Sequence, residues 1–196
     1  MWAVRLGRPL GVAGSMLLAA LVTAAALIAA AESDGADGVP EAVPDVVVKA
    51  AFLYNFAKFT EWPSLSSGAP IAACIVGDDG VAAALTDVVR GQQINGHSID
   101  VSRSQGGGTW RICQVLFISG GETRRSTDGL SGIKTLPVLS VSDGKGFARA
   151  DGIIELYVED GRMRFAINVK AAERSGLRLS SRLLGLSKVV RTSDAQ

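Results

Sequence analysis

The chain has 196 residues, 47% hydrophobic, 20% charged and 6% aromatic, and its 20 basic and 19 acidic side chains leave a formal net charge of +1. That size suits one domain with at most an appendage, and the near-neutral balance lacks the clustered positive field that nucleic acid requires. One histidine and two cysteines are too few soft ligands for a structural zinc or an iron–sulfur site, and no repeat period marks a solenoid or coiled coil.

Residues 1–31 read as a secretory signal peptide. Arg5 and Arg8 form a positive n-region, an apolar run extends from Leu10 to Ile28, and Ala29-Ala30-Ala31 offers a small-residue cleavage site before Glu32. An uncleaved anchor is the competing reading, since about 18 apolar residues can span a bilayer, but much of this run is weakly apolar Ala and Gly. Cleavage removes two arginines and no acid, leaving 165 residues with 18 basic and 19 acidic side chains. That length can bury a sound core, and export permits a disulfide. The predicted location is a prokaryotic periplasm.

Residues 32–44 carry Gly and Pro breakers and no periodic apolar face, and read as a flexible tether. Asp45 is expected to cap a helix reaching about Thr60, with Val48, Phe52, Phe56 and Phe59 on its buried side and Trp62-Pro63 as its stop. Ile71–Val76, the turn Gly77-Asp78-Asp79-Gly80 and Val81–Arg90 make a strand–turn–helix unit. Further strands are predicted at Ser98–Ser102, Val115–Ser119 and Leu136–Val141, with a short helix within 122–131. Strands alternating with helices point to a mostly parallel sheet flanked by helices.

Gly152–Asn168 reads as a β-hairpin turning at Asp160-Gly161, a pair that suits a type I′ turn. This register pairs Ile154 with Ile167, Leu156 with Phe165 and Val158 with Met163 on an apolar face expected to be core. The other face, expected to be largely exposed, pairs Glu155 with Ala166, Tyr157 with Arg164 and Glu159 with Arg162, which offers an ion pair and a cation–π contact. Asn168 can cap a helix Val169–Ser175 closed by Gly176. Ser180 or Ser181 can cap a last helix through Val190, with Leu183, Leu184, Leu186, Val189 and Val190 on its apolar face. The predicted class is therefore α/β, a mostly parallel sheet flanked by helices, with a C-terminal β-hairpin and two C-terminal helices, in a single domain over residues 45–191.

The chain has no Walker A loop, G-x-G-x-x-G, H-E-x-x-H or G-x-S-x-G. Asp78 and Asp79 would repel phosphate, and helix N-terminal acids describe them better than a magnesium site. Ser131–Lys134 and Ser142–Lys145 match S-x-x-K without the further elements that serine chemistry needs. His97 follows the turn signal Asn95-Gly96, and nothing nominates an orienting acid or a nucleophile for it. No catalytic residue, cofactor or metal is expected. Cys74 lies within one predicted strand and Cys113 just before another. In a 2-1-3 strand order these strands are neighbours, so a bridge is credible, with two buried thiols as the alternative. Glu155, Tyr157 and Arg164 combine a carboxylate, a ring and a guanidinium, a composition found at binding hot spots, and are the candidates for a partner surface. A solvated strand face is the plainer reading of the same residues.

Val48-Lys49-Ala50-Ala51-Phe52-Leu53-Tyr54-Asn55-Phe56-Ala57-Lys58-Phe59-Thr60-Glu61-Trp62-Pro63 resembles the opening motif of the YfiR-like family of exported proteins. Cys74–Asp78 and Cys113–Ser119 are similar to its central strands. The likeness continues through Val141-Ser142-Asp143, Phe147-Ala148, Gly152-Ile153-Ile154 and Asn168 to Leu179–Leu184. The resemblance implies an α/β sandwich, a homodimer and a non-enzymatic role as a periplasmic repressor of an inner-membrane diguanylate cyclase, restraining cyclic-di-GMP synthesis and biofilm formation. It also implies relief of repression by an outer-membrane, peptidoglycan-binding lipoprotein, and a central disulfide between Cys74 and Cys113. Some members carry a second cysteine pair near the segment matching Ser142–Gly152, where this chain has none. A small-ligand sensor without a cyclase partner, using the strand ends near Gly77–Gly80, is the alternative reading.

Overall fold

Side chains along a strand point alternately to the two faces of its sheet, so a strand buried on both sides must be apolar throughout. Ile71–Val76 and Val115–Ile118 are such strands, and the computed structural model, which describes residues 43–105 and 107–190, gives each face its own core. The predicted signal peptide, all but the last two residues of the tether, and Arg191 lie outside the described residues. In chain order the elements are α1 (Asp45–Lys58), β1 (Thr60–Glu61), β2 (Ile71–Val76), α2 (Asp79–Val89), β3 (Ile99–Arg103), a 3-10 turn (Gly107–Ile112), β4 (Val115–Ile118), α3 (Thr127–Ser131), β5 (Leu139–Ser142), β6 (Ile154–Glu159), β7 (Arg162–Asn168), α4 (Val169–Arg174), β8 (Arg178–Leu179), α5 (Ser181–Leu186) and β9 (Lys188–Val190). Seven strands form one sheet in the order β3-β2-β4-β5-β6-β7-β9, parallel at every junction except β6–β7, while β1 and β8 pair separately. The class is the predicted one, mixed α/β with a mostly parallel, helix-flanked sheet.

The larger core lies on the face covered by α1 and α2. Ile71, Ala73 and Ile75 of β2, Val115 and Phe117 of β4, Leu139 and Val141 of β5, and Leu156 and Phe165 of the hairpin join Leu53, Phe56, Val81 and Leu85 there. The rings of Phe52 and Phe56 lie 5.7 and 5.0 Å from that of Phe165. On the opposite face Cys74, Val76, Leu116 and Ile118 pack with Trp110, Cys113, Ile133 and Val138 beneath the 3-10 turn and α3. Cys74 and Cys113 are bridged there, with Cα atoms 5.9 Å apart across 39 residues of sequence. The disulfide thus sits inside the smaller core and replaces the alternative of two free thiols.

Several local expectations change. Pro44 rather than Asp45 occupies the N-cap of α1, and Asp45 turns its carboxylate to Lys49 one turn on. The fully buried residues of α1 are Ala50, Leu53, Phe56 and Ala57, so the centre of its inner face is rotated from the aromatic stripe, and Phe52 and Phe59 are half-buried at its margins. The helix also ends before Trp62-Pro63. Thr60 donates from Oγ1 to the Phe56 carbonyl at 2.7 Å and enters β1, which β8 captures. Strand β5 begins at Leu139 rather than Leu136, and the helical part of 122–131 shrinks to α3.

The hairpin holds the predicted register at all six pairs, and Asp160 and Gly161 both take positive φ (51° and 69°) as a type I′ turn requires. Its inner face is core only as far as the helices reach: Val158 is 66% exposed and Met163 half-buried, because the tip extends past α1. Nor is the outer face as open as expected, since Ala166 is buried and Glu155 and Tyr157 are half-buried. Asn168 caps α4, accepting from the Ala171 N–H at 3.0 Å, and Ser180 caps α5. The last helix stops at Leu186, however, and Lys188–Val190 continue as β9 beside β7. Val189 and Val190 are β-branched, and pairing with the otherwise bare edge of β7 outweighs one more helical turn.

Candidate functional site

One rung of side chains across the sheet's second face explains where a site forms. Val76, Ile118, Ser142, Glu155, Ala166 and Lys188 are successive neighbours from β2 to β9. The rung is apolar beneath the 3-10 turn and α3, changes to a hydroxyl at β5, and ends in charged residues beyond the helical cover. There the loop after β5 leans over the hairpin's outer face and encloses a groove of about 510 Å³. Its walls include Lys145, Arg149, Glu155, Tyr157, Lys188 and Val190, with Asp143 at one end.

The loop is fixed by its backbone. Glu155 accepts from the Gly146 N–H at 2.9 Å through one carboxylate oxygen and from the Ala148 N–H at 3.1 Å through the other. Asn168, fully buried, donates from Nδ2 to the Ala148 carbonyl at 2.8 Å. Phe147 and Ala148 are buried, and the Phe147 ring fills the space where a side chain at position 152 would stand, which is why Gly152 is glycine. With the centre of the loop held down, Lys145 and Arg149 on either side remain exposed.

The Asp143 end is tied to α1. Lys49, only 11% exposed, bridges Asp45 and Asp143 at 2.6 Å each, and Asp143 also accepts from the Gly120 N–H at 2.5 Å. Burial opposes the Lys49 charge, but hydrogen bonds to Asp143 and Asp45 and the attraction of both carboxylates outweigh it, so its pKa is raised above 10.5. Lys49 therefore secures the helix to the rim of the groove as a fixed cation.

Of the residues singled out in sequence, Glu155 and Tyr157 line this groove, with Glu155 serving as the anchor of its wall. Arg164 stands opposite Tyr157 in register but is not part of the lining. Among the described residues, neither the Glu159–Arg162 ion pair nor the Tyr157–Arg164 cation–π contact forms. Sequence reasoning met Lys145 only in an S-x-x-K match and missed Arg149 and Lys188; the three come from two distant segments and meet only through the strand order.

The remaining chemistry-bearing residues have structural duties. Asp78 caps α2 by accepting from the Val81 N–H at 3.0 Å, and Asp79 pairs with Arg103 at 3.0 Å. Ser142 accepts from the Gly144 N–H at 2.9 Å and shares a hydrogen bond with Thr123. His97 donates from Nδ1 to the Ala69 carbonyl at 2.6 Å. At the strand ends near Gly77, Glu122 and Ser119 crowd the place where a side chain at that position would stand; an open cleft of about 490 Å³ lies alongside, lined by Asp79, Arg103 and Ser104 among others. Among the described residues no group of three or more potential ligands could hold a metal, and no helix is long and apolar enough to cross a membrane.

No curated protein matches the chain. A solved structure of a conserved domain protein from Vibrio cholerae O1 biovar El Tor str. N16961 is 10% identical with a TM-score of 0.45; the match covers 75% of this chain and 60% of that one. The sequence model of the YfiR/HmsC-like family matches residues 47–188. By that match, which takes in the α1 motif, both bridged cysteines, the Phe147-Ala148 loop and the hairpin, the chain belongs to the YfiR/HmsC-like family.

Proposed function

We propose that the protein is a periplasmic regulator, exported through a signal peptide cleaved after Ala31, that binds the periplasmic domain of an inner-membrane diguanylate cyclase and represses it. The family match over residues 47–188 carries this reading. The groove beside Glu155 and Tyr157 supports it, because a recess walled by an anchored loop is suited to recognition and leaves the chemistry to another protein. Repression follows from differential affinity: the regulator binds the inactive cyclase more tightly than the active one and shifts the population towards it. An outer-membrane, peptidoglycan-binding lipoprotein relieves repression by competing for the regulator, which works as a homodimer.

The test is genetic. Deleting the gene in a strain expressing an inner-membrane cyclase with a periplasmic domain should raise cyclic-di-GMP and surface attachment, and a plasmid copy should restore both. Unchanged nucleotide levels with that cyclase expressed would overturn the proposal.

A further inference from the structure

We infer that the groove between the Lys145–Arg149 loop and the outer face of the hairpin binds an acidic, extended segment of the partner protein. The inference takes the partner's identity from the regulatory reading, but its chemistry from the groove alone. Lys145, Arg149, Arg162, Arg164 and Lys188 are all exposed on or around this face, and none has an ion-pair partner among the described residues. Five other exposed cations do pair, Arg90 with Asp87, Arg103 with Asp79, Arg125 with Glu122, and Lys134 and Arg174 with Asp151, while Lys58, Arg111, Lys170, Arg178 and Arg182 have no ion pair among the described residues. What sets this face apart is that three of its unpaired cations, Lys145, Arg149 and Lys188, line one recess.

Carboxylates on and beside this face offset these charges only in part: Glu155, Glu159 and Asp160 stand against the five cations. Asp143 is engaged by Lys49 and the Gly120 N–H, and Glu155 by two backbone N–H groups. The chain as a whole is close to neutral, and here five exposed cations outnumber three carboxylates, so the face favours an incoming segment that brings negative charge. The recess also selects the kind of partner. Tyr157 is half-buried at its floor and Val190 is in its wall. A polypeptide can follow such a recess and lay an apolar stem on the ring, whereas the flat surface of an anionic membrane meets only the rim.

The probe is a fluorescein-labelled deca-glutamate peptide, compared with its deca-glutamine counterpart on the purified mature protein. The glutamate peptide should bind at least about tenfold more tightly, weakening as salt rises from about 50 to 300 mM because the contacts are screened. Its backbone amide shifts in NMR should map to residues 145–149, 155–158 and 188–190. The double variant Arg149→Glu, Lys188→Glu should lose at least about tenfold in affinity with its melting temperature unchanged, as expected for exposed positions. Equal binding of both peptides, shifts centred elsewhere, or full affinity in the double variant would overturn the inference. Charge-dependent binding of the wild type to phosphatidylglycerol vesicles with no peptide binding would also overturn it, in favour of a membrane surface. If deletion raises cyclic-di-GMP but the double variant represses normally, the groove inference fails and the regulatory reading stands. If the peptide maps to the groove but deletion changes nothing, the regulatory reading fails and the groove's chemistry stands.

Discussion

Leu156 and Val158 face the same way on β6, two residues apart, and alternation assigns both to the core. The structure separates them: Leu156 is 1% exposed and Val158 66%. Leu156→Ala removes three carbons, worth about 2.4 kcal/mol at about 0.8 kcal/mol each. An unrelaxed cavity of about 60 Å³ at about 24 cal/mol per Å³ adds about 1.5 kcal/mol. The expected loss is therefore about 3–4 kcal/mol, or a melting temperature lower by about 6–16 °C for a domain of this size. Val158→Ala removes carbons that are mostly in water and should lose less than about 0.5 kcal/mol. Urea denaturation of both variants, with the slope checked for constancy, decides between these values. Equal losses at the two positions would refute the claim that the helices' reach, not strand alternation, sets the limit of this core.

The Cys74–Cys113 bridge should appear as a two-proton mass increase on reduction, and replacing both cysteines by serine should lower stability by about 4 kcal/mol in the chain-entropy account; free thiols in protein taken fresh from the periplasm would contradict the pairing. Gly152→Ala would force a methyl group into the Phe147 ring and should lose about 1–3 kcal/mol by overpacking, read as a lower urea midpoint. The raised pKa of Lys49 means that its contribution is complete at neutral pH and is lost only as pH climbs past 10.5 through the raised value. Lys49→Met should therefore be less stable than the wild type at neutral pH, with the gap closing at the alkaline end of a pH series of denaturation midpoints. A constant gap would contradict the assignment.

The parts of the fold legible in the sequence are those where local chemistry and tertiary packing agree. Asp160-Gly161 fixes the turn, the alternation from Ile154 to Ile167 fixes the register, and a one-residue slip would mix the faces. Asn168 and Ser180 read as caps because their side chains act within three residues. Legibility fails where a distant strand decides. The run from Leu183 to Val190 satisfies a helical face, and only the bare edge of β7 makes Lys188–Val190 a strand. Thr60 looks helical until β8, more than a hundred residues later, pairs with β1. The groove combines both cases: Glu155 and Tyr157 stood out by composition, whereas Lys145, Arg149 and Lys188 look like ordinary surface charges until the strand order gathers them.

The central claim is that this protein restrains a cyclase by binding it, and reconstitution tests it most directly. The full-length diguanylate cyclase, in nanodiscs with GTP supplied, is titrated with the purified mature protein while cyclic-di-GMP formation is followed. The account predicts a saturable fall in rate that a cyclase lacking its periplasmic domain does not show. A rate unchanged at saturating protein, or an equal fall with the truncated cyclase, would contradict it.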